Sequence, residues 1–257
     1  IGKSTLMAQI ARSTQRMGGI VVFIDTENAT NPDTLANMGV DVAKRFVFVQ
    51  SPCTEEILSI IESTILKART MTKDVPVTVI WDSVSQSSPK AELEGDYDQN
   101  TIGLQARVLS KGMRKIANVI GGQKVLLVLV SQQRQKIGVM FGDPTTTSGG
   151  MAIPYSSSVR IRLDGGSPIK DKEENTIGIN VTARTIKNKV AKPFRKVGFQ
   201  IMFGKGIYEN DEMFDLLREY CKNSKRGVEV AGKTVSISGD AAWKTFTVMN
   251  NKTCLLY

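Results

Sequence analysis

Ile1-Gly2-Lys3-Ser4-Thr5 opens the chain, and Leu6, Met7, Ile10 and Ala11 follow at helical spacing. Gly-Lys-Ser-Thr running into a helix reads as the second half of a glycine-rich phosphate loop, GxxxxGK[ST]. Lys3 would neutralise terminal phosphates and Ser4 would ligate magnesium, so Gly2, Lys3, Ser4 and Thr5 are the first candidate binding residues. Only half of the motif is present. The chain is therefore expected to begin inside it and to be part of a longer protein.

Working outward, residues 20–24 (IVVFI) read as a buried strand that ends in Asp25-Thr26-Glu27-Asn28. Asn31-Pro32 marks a turn, 33–38 reads as helix and 46–49 as strand. Thr54 is expected to cap a helix with Glu55 and Glu56 in its first turn and Ile57, Leu58, Ile61, Ile65 and Leu66 on its apolar side. A further strand, 75–81, ends in Asp82-Ser83. Phosphate loop, helix, strand, helix, strand, helix, strand is the order of an α/β parallel sheet with crossover helices. Ligands of such sheets bind beyond the carboxyl ends of the strands. Asp82 is placed there to hold magnesium, and Glu27 to polarise an attacking water as general base.

Residues 87–102 are polar and irregular, and 103–120 read as a long helix. Leu109, Met113, Ile116 and Ile120 share its apolar face, and Arg107, Ser110 and Arg114 share the opposite one. That polar face alone reads equally as a solvated surface. Residues 124–130 (KVLLVLV) read as a buried strand, and Ser131 to Met151 then breaks every periodicity with four Gly, one Pro and the cations Arg134 and Lys136. So long a patternless segment after a central strand is expected to be a functional loop. Beyond it, 156–163 reads as a strand, 165–174 as a turn-rich charged connection, and 177–186 and 198–203 as a meander around the basic segment 187–196. From about 207 a helix (211–220), a hairpin turning at Gly232 (228–237) and another helix (241–246) suggest a small, incomplete α/β domain, giving a core of 1–206 and an appendage of 207–257.

The chain has no His, which excludes Ser-His triads and most transition-metal sites. Its net charge of +9 points to a polyanionic partner, most simply nucleic acid. Cys53, Cys221 and Cys254 lie far apart, as expected in a reducing cytosol, and argue against structural zinc. No apolar run is long enough to span a membrane and no secretory signal precedes the first strand, so a cytoplasmic protein without membrane contact is expected.

Several segments closely resemble the bacterial RecA recombinase family: 79–84 (VIWDSV), 89–95 (PKAELEG), 113–115 (MRK), 136–142 (KIGVMFG), 147–150 (TSGG) and 187–189 (KNK). The likeness runs in order from Gly2 to about Gly206, and 136–142 is its most specific motif. It implies a RecA-like P-loop NTPase core, a mostly parallel twisted sheet flanked by helices, followed by a small α/β C-terminal domain. Departures from common bacterial forms suggest a divergent, phage-like member.

The resemblance assigns roles by position. Lys3 and Ser4 match the phosphate-loop lysine and magnesium hydroxyl, Glu27 the catalytic glutamate, and Asp82 the magnesium-site aspartate. Gln132 matches the glutamine that senses the γ-phosphate and couples it to the DNA loop. Lys187 and Lys189 match a lysine pair that reaches ATP on the adjacent subunit. Segments 92–102 and 133–151 match two DNA-binding loops. Ile102, Arg107, Ser110, Arg114, Arg134, Lys136, Ile137, Ser148, Gly149, Gly150 and Met151 fall at DNA-contacting positions, with Ile137 wedging between stacked bases. Asn31 and Thr34 stand where the family contacts adenine with Asp and Tyr, Met151 stands where it has Asn, and Phe203 offers an aromatic face to the base. The implied cofactors are ATP and Mg2+. The implied partners are single-stranded DNA, a homologous duplex and further copies of the chain in a helical filament. The implied activity is DNA-stimulated ATP hydrolysis with strand exchange. A hexameric helicase-like motor and a non-catalytic DNA-binding module are the rival readings. The loop 133–151 is expected to be disordered without DNA and ordered when ATP and DNA are bound.

Overall fold

The computed structural model describes residues 2–96, 101, 103–135, 145–147, 149–207, 228–230 and 233–235. Helix and strand alternate through α1 (Lys3–Arg16), β1 (Ile20–Asp25), α2 (Pro32–Asn37), β2 (Phe46–Gln50), α3 (Thr54–Met71) and β3 (Val77–Asp82). A 3-10 turn at Val84–Gln86, the short α4 (Lys90–Leu93) and the long α5 (Leu104–Ile120) lead into β4 (Val125–Leu129). The four strands form a parallel sheet in the order β2-β1-β3-β4. This is the sheet that the alternating pattern requires.

β3 is buried along its whole length, as its mostly apolar sequence requires, and its buried Thr78 hydroxyl pairs with that of Thr14 at 2.7 Å. Val77, Val79 and Trp81 pack with Ile57, Ile61 and Ile65 of α3 and with Leu109, Met113 and Ile116 of α5. Ile80 clusters with Val21, Phe23 and the α1 residues Met7, Ala8 and Ala11. Ile57, Ile61 and Ile65 are fully buried, and burying such a side chain contributes about 1.5–3 kcal/mol relative to exposure. Parallel pairing sets Asp25 opposite Asp82 and Trp81 opposite Leu129, so β1, β3 and β4 deliver their carboxyl ends to one rim.

Beyond β4 come β5 (Gln133–Gln135), β6 (Thr145–Thr147) and α6 (Ala152–Ser156). A second, antiparallel sheet follows, β7 (Val159–Lys170), β8 (Thr176–Asn188), β9 (Lys196–Met202) and β10 (Gly206–Ile207), in the order β10-β9-β8-β7. β11 (Val228–Val230) and β12 (Lys233–Val235) pair as the expected hairpin. The helices expected at 211–220 and 241–246, and Cys221 and Cys254, lie outside the described residues, and Cys53 is a free thiol. Among the described residues no helix is long and apolar enough to cross a membrane.

Five expectations are corrected. Thr54 does not cap α3: Cys53 holds that position, and the fully buried Thr54 hydroxyl donates to Ser87 Oγ at 3.1 Å. A tertiary partner has replaced the local one. Residues 165–170 are not connection but the far half of β7, and the turn is confined to the residues between Lys170 and Thr176. Register shifts between Gly165 and Pro168 and between Ile169 and Lys170 absorb the Gly and Pro residues. Ser156 closes α6 rather than opening a strand, and Lys187 and Asn188 end β8 rather than belonging to the basic connection. Finally, the segment after Gln132 is paired at both ends, Gln133 with Thr147 and Gln135 with Thr145. Residues 136–144 between them lie outside the described residues.

Candidate nucleotide site and nucleic-acid face

Gly2 caps α1 and packs against Ile201 and Val181 of the antiparallel sheet. The first turn of α1 carries no acidic residue, which leaves its N–H groups and positive end open to an anion. Across from it, the strand rim is lined with polar groups that are buried: Asp25, Thr26, Asp82, Ser83 and Ser85. A rim this polar, inside an otherwise apolar sheet, is costly unless each group has a partner.

The partners are specific. Ser4 Oγ donates to Asp82 Oδ2 at 3.0 Å, which joins α1 to the end of β3. Thr26 Oγ1 accepts the Ser83 N–H at 2.8 Å and donates to the Ser83 carbonyl at 2.6 Å, and the Thr26 N–H donates to the Asp82 carbonyl at 2.9 Å. Asp25 folds the turn after β1 by accepting the N–H groups of Glu27 and Thr30, both at 2.9 Å. Glu27 Oε1 accepts the Ser83 hydroxyl at 2.5 Å and the Gln132 side-chain amide at 2.8 Å. Gln132 is itself held by its N–H, which donates to Ser85 Oγ at 2.9 Å. The structure thus gathers Ser4, Asp82, Glu27 and Gln132 from four separate elements, as sequence reasoning expected. It adds Thr26, Ser83 and Ser85, which that reasoning missed. Their signal was present as hydroxyl residues immediately after apolar strands, but its meaning depends on the cross-strand register.

Burial pushes the Asp82 carboxyl above the usual carboxylate range. The Ser4 hydrogen bond opposes the shift, the Glu27 and Asp25 charges add to it, and Lys3 opposes it. A buried carboxylate beside a hydroxyl, with no protein cation bonded to it, is a donor pair suited to Mg2+. Among the described residues no group of three or more His, Cys, Asp or Glu forms a metal cage.

A carboxyl whose folded pKa is raised weakens the fold at neutral pH, and the penalty fades as pH falls through the raised value toward about 4. Asp82→Asn should therefore raise the thermal midpoint of the nucleotide-free, metal-free protein. The gain should be largest at neutral pH and above. Melts across the pH range should show the gain shrinking in acid; a pH-independent gap would contradict a strained carboxylate.

The remaining candidates are spread over several elements. Arg107 and Arg114 are exposed on α5, and Arg114 Nη1 donates to Ser110 Oγ at 3.1 Å, so the three share one face. Gly149 and Gly150 return the chain to that helix: a β-carbon on Gly149 would stand 2.4 Å from Leu109, and one on Gly150 3.1 Å from Ala106. Met151 is exposed just before α6, and Arg134 lies in β5. Ile102, Lys136, Ile137 and Ser148 lie outside the described residues.

Lys187 and Lys189 are not joined to the carboxylate rim. Lys187 Nζ donates to the Pro154 and Tyr155 carbonyls at 2.8 and 3.0 Å, which caps the carboxyl end of α6. Loss of hydration, with Lys189 and Arg160 beside it, pulls the Lys187 ammonium below the ordinary lysine range. Thr5 lies in the first turn of α1, and Phe203 is 57% exposed just past β9. A further feature appears only in the register: Arg160 faces Lys187, Arg162 faces Arg184, and Arg184 faces Lys196. Like charges placed opposite each other destabilise a sheet and favour a bound polyanion. Asp164 answers this row through Arg162 at 2.9 Å.

Comparison with known proteins finds relatives over most of the chain. The family model of the RecA N-terminal domain matches residues 1–208. Protein RecA of Bacteroides thetaiotaomicron is 42% identical over 215 residues, which are 84% of this chain and 63% of that protein. Protein RecA of Pseudomonas fluorescens and of Pseudomonas tolaasii are each 40% identical over 215 residues, 84% of this chain and 59% of those proteins. The chain thus spans about three fifths of the length of the curated relatives it matches.

Proposed function

This chain belongs to the RecA family, and on that premise we propose that its protein is an ATP-dependent DNA recombinase. It assembles on single-stranded DNA as a helical filament, pairs that strand with a homologous duplex and exchanges strands in recombinational repair in the cytoplasm. ATP hydrolysis is stimulated by DNA. The observation that carries this reading is the Glu27–Gln132 hydrogen bond, 2.8 Å. It ties the candidate base to the residue immediately before the DNA arm, so a signal in either can reach the other.

In this reading Gly2, Lys3, Ser4 and Thr5 receive the phosphates at the amino end of α1, and Lys3 supplies the cation. Ser4 and Asp82 hold Mg2+, which when bound neutralises phosphate charge. Glu27 takes a proton from water as the water oxygen bonds to the γ-phosphorus and the bond to the ADP oxygen breaks. Lys187 and Lys189 serve the nucleotide of the adjacent subunit, and Phe203 contributes an aromatic face to the base. Arg107, Ser110 and Arg114 contact DNA phosphates. Arg134, Lys136, Ile137, Ser148, Gly149, Gly150 and Met151 contact DNA, with Ile137 wedging between stacked bases. Residues 207–257 form a small second domain.

The test is steady-state ATP turnover of the full-length protein with and without single-stranded DNA, beside a strand-exchange assay. Turnover should rise at least about tenfold with DNA, in line with transition-state groups supplied on assembly. Turnover indifferent to DNA would overturn the recombinase. Electron micrographs of rings rather than filaments would favour a hexameric motor.

A further inference from the structure

Two donors converge on a single oxygen of Glu27, and they differ in freedom. Ser83 has no exposed surface, and its N–H and carbonyl are both bonded to Thr26 Oγ1, at 2.8 and 2.6 Å. Its hydroxyl, 2.5 Å from Glu27 Oε1, therefore starts from a backbone locked between the ends of β1 and β3. Gln132 is partly exposed, lies in the segment between β4 and β5, and reaches the same oxygen with the end of a flexible side chain. Among the described residues Glu27 Oε2 receives no hydrogen bond. A glutamate on a loop past a strand otherwise keeps its rotamer freedom, which a general base cannot have.

We propose that Ser83 is a positioning residue for hydrolysis: its buried hydroxyl pins Glu27 Oε1 and leaves Oε2 to orient water, while Gln132 is a second, releasable restraint on the same oxygen. This rests on the reading of Glu27 as the base. Loss of the Gln132 contact then does not free Glu27, because the Ser83 contact belongs to the sheet.

Two variants of the full-length protein test this. Ser83→Ala removes the donor. Ser83→Cys keeps nearly the same volume but offers only a weak donor. With saturating single-stranded DNA, kcat for ATP should fall about tenfold to a hundredfold in both, the penalty of a misplaced reacting group. KM should stay within about twofold, because uniform binding of ATP is untouched. Thermal melts and ATP-dependent DNA binding report folding; if Ser83→Ala does not fold, Ser83→Cys decides. Near-normal kcat in Ser83→Cys would show that packing, not the hydroxyl, matters at this position and would overturn the proposal, as would a loss confined to KM. Glu27→Gln is run alongside. Were that variant still to hydrolyse ATP, the base assignment would fall and this inference with it. An inactive Glu27→Gln beside an active Ser83→Ala would overturn the role of Ser83 alone.

Discussion

Glu27→Gln should lower DNA-stimulated ATP turnover at least about a hundredfold, the scale on which a positioned general base acts. ATP-dependent binding of single-stranded DNA should persist. A glutamine side-chain oxygen can still accept the Ser83 hydroxyl and the Gln132 amide, the two contacts that hold Glu27 Oε1. The substitution therefore removes basicity and leaves the geometry in place. A hundredfold loss is about 2.7 kcal/mol of barrier, far more than an exposed hydrogen bond contributes. Turnover and DNA binding measured on one preparation separate the two effects. Unchanged turnover would remove Glu27 from the mechanism, and joint loss of both would make it structural.

Gly149→Ala should cost both stability and DNA affinity. Gly149 is buried at φ 82°, and an added β-carbon would lie 2.4 Å from the Leu109 side chain, which is fully buried in the core beneath α5. The left-handed backbone costs an L-residue about 1–2 kcal/mol, and overpacking a tight core adds about 1–3 kcal/mol. The midpoint of thermal unfolding should fall by roughly 5–15 °C. Relief of the clash would shift the returning arm along the helix that carries Arg107, Ser110 and Arg114. Affinity for single-stranded DNA should then drop at least about tenfold, or about 1.4 kcal/mol. Gly122→Ala is the control: φ is 72° there, but nothing lies within 4 Å of an added β-carbon, so only the backbone cost of about 1–2 kcal/mol remains. Equal losses in the two variants would show that the contact with Leu109 does not matter.

Much of the parallel sheet was legible because its causes are local. The run 20–24 is apolar throughout and 77–81 is apolar but for Thr78, and a strand covered on both faces tolerates that. Helices α3 and α5 announced their buried faces through Ile57, Ile61 and Ile65 and through Leu109, Met113 and Ile116. The antiparallel sheet was less legible. Gly165, Gly166 and Pro168 read as a turn, yet β8 supplies a ladder on which register shifts absorb them. Cross-strand hydrogen bonding outweighed a local preference that spans only about 1 kcal/mol. The same applies to the arm, whose ends at 133–135 and 145–147 have no shared periodicity and pair only because they meet.

The sequence by itself indicated the helix-strand order of the parallel sheet and the carboxylates placed at its strand ends, Glu27 and Asp82, since each rests on neighbours a few positions away; Gln132 was picked out only by the family resemblance. The tertiary structure alone decided which of those groups touch. Ser83 reaches Glu27 across 56 positions and Gln132 reaches it across 105, and the row of cations facing one another on β7, β8 and β9 exists only in register. A hydrogen bond requires its donor and acceptor within about 3 Å, and over such separations only the completed sheet sets that distance. The half phosphate loop at Gly2 pointed to a kind of ligand; the parallel register brought Glu27, Asp82 and Gln132 together on one rim, with Ser4 bonded to Asp82.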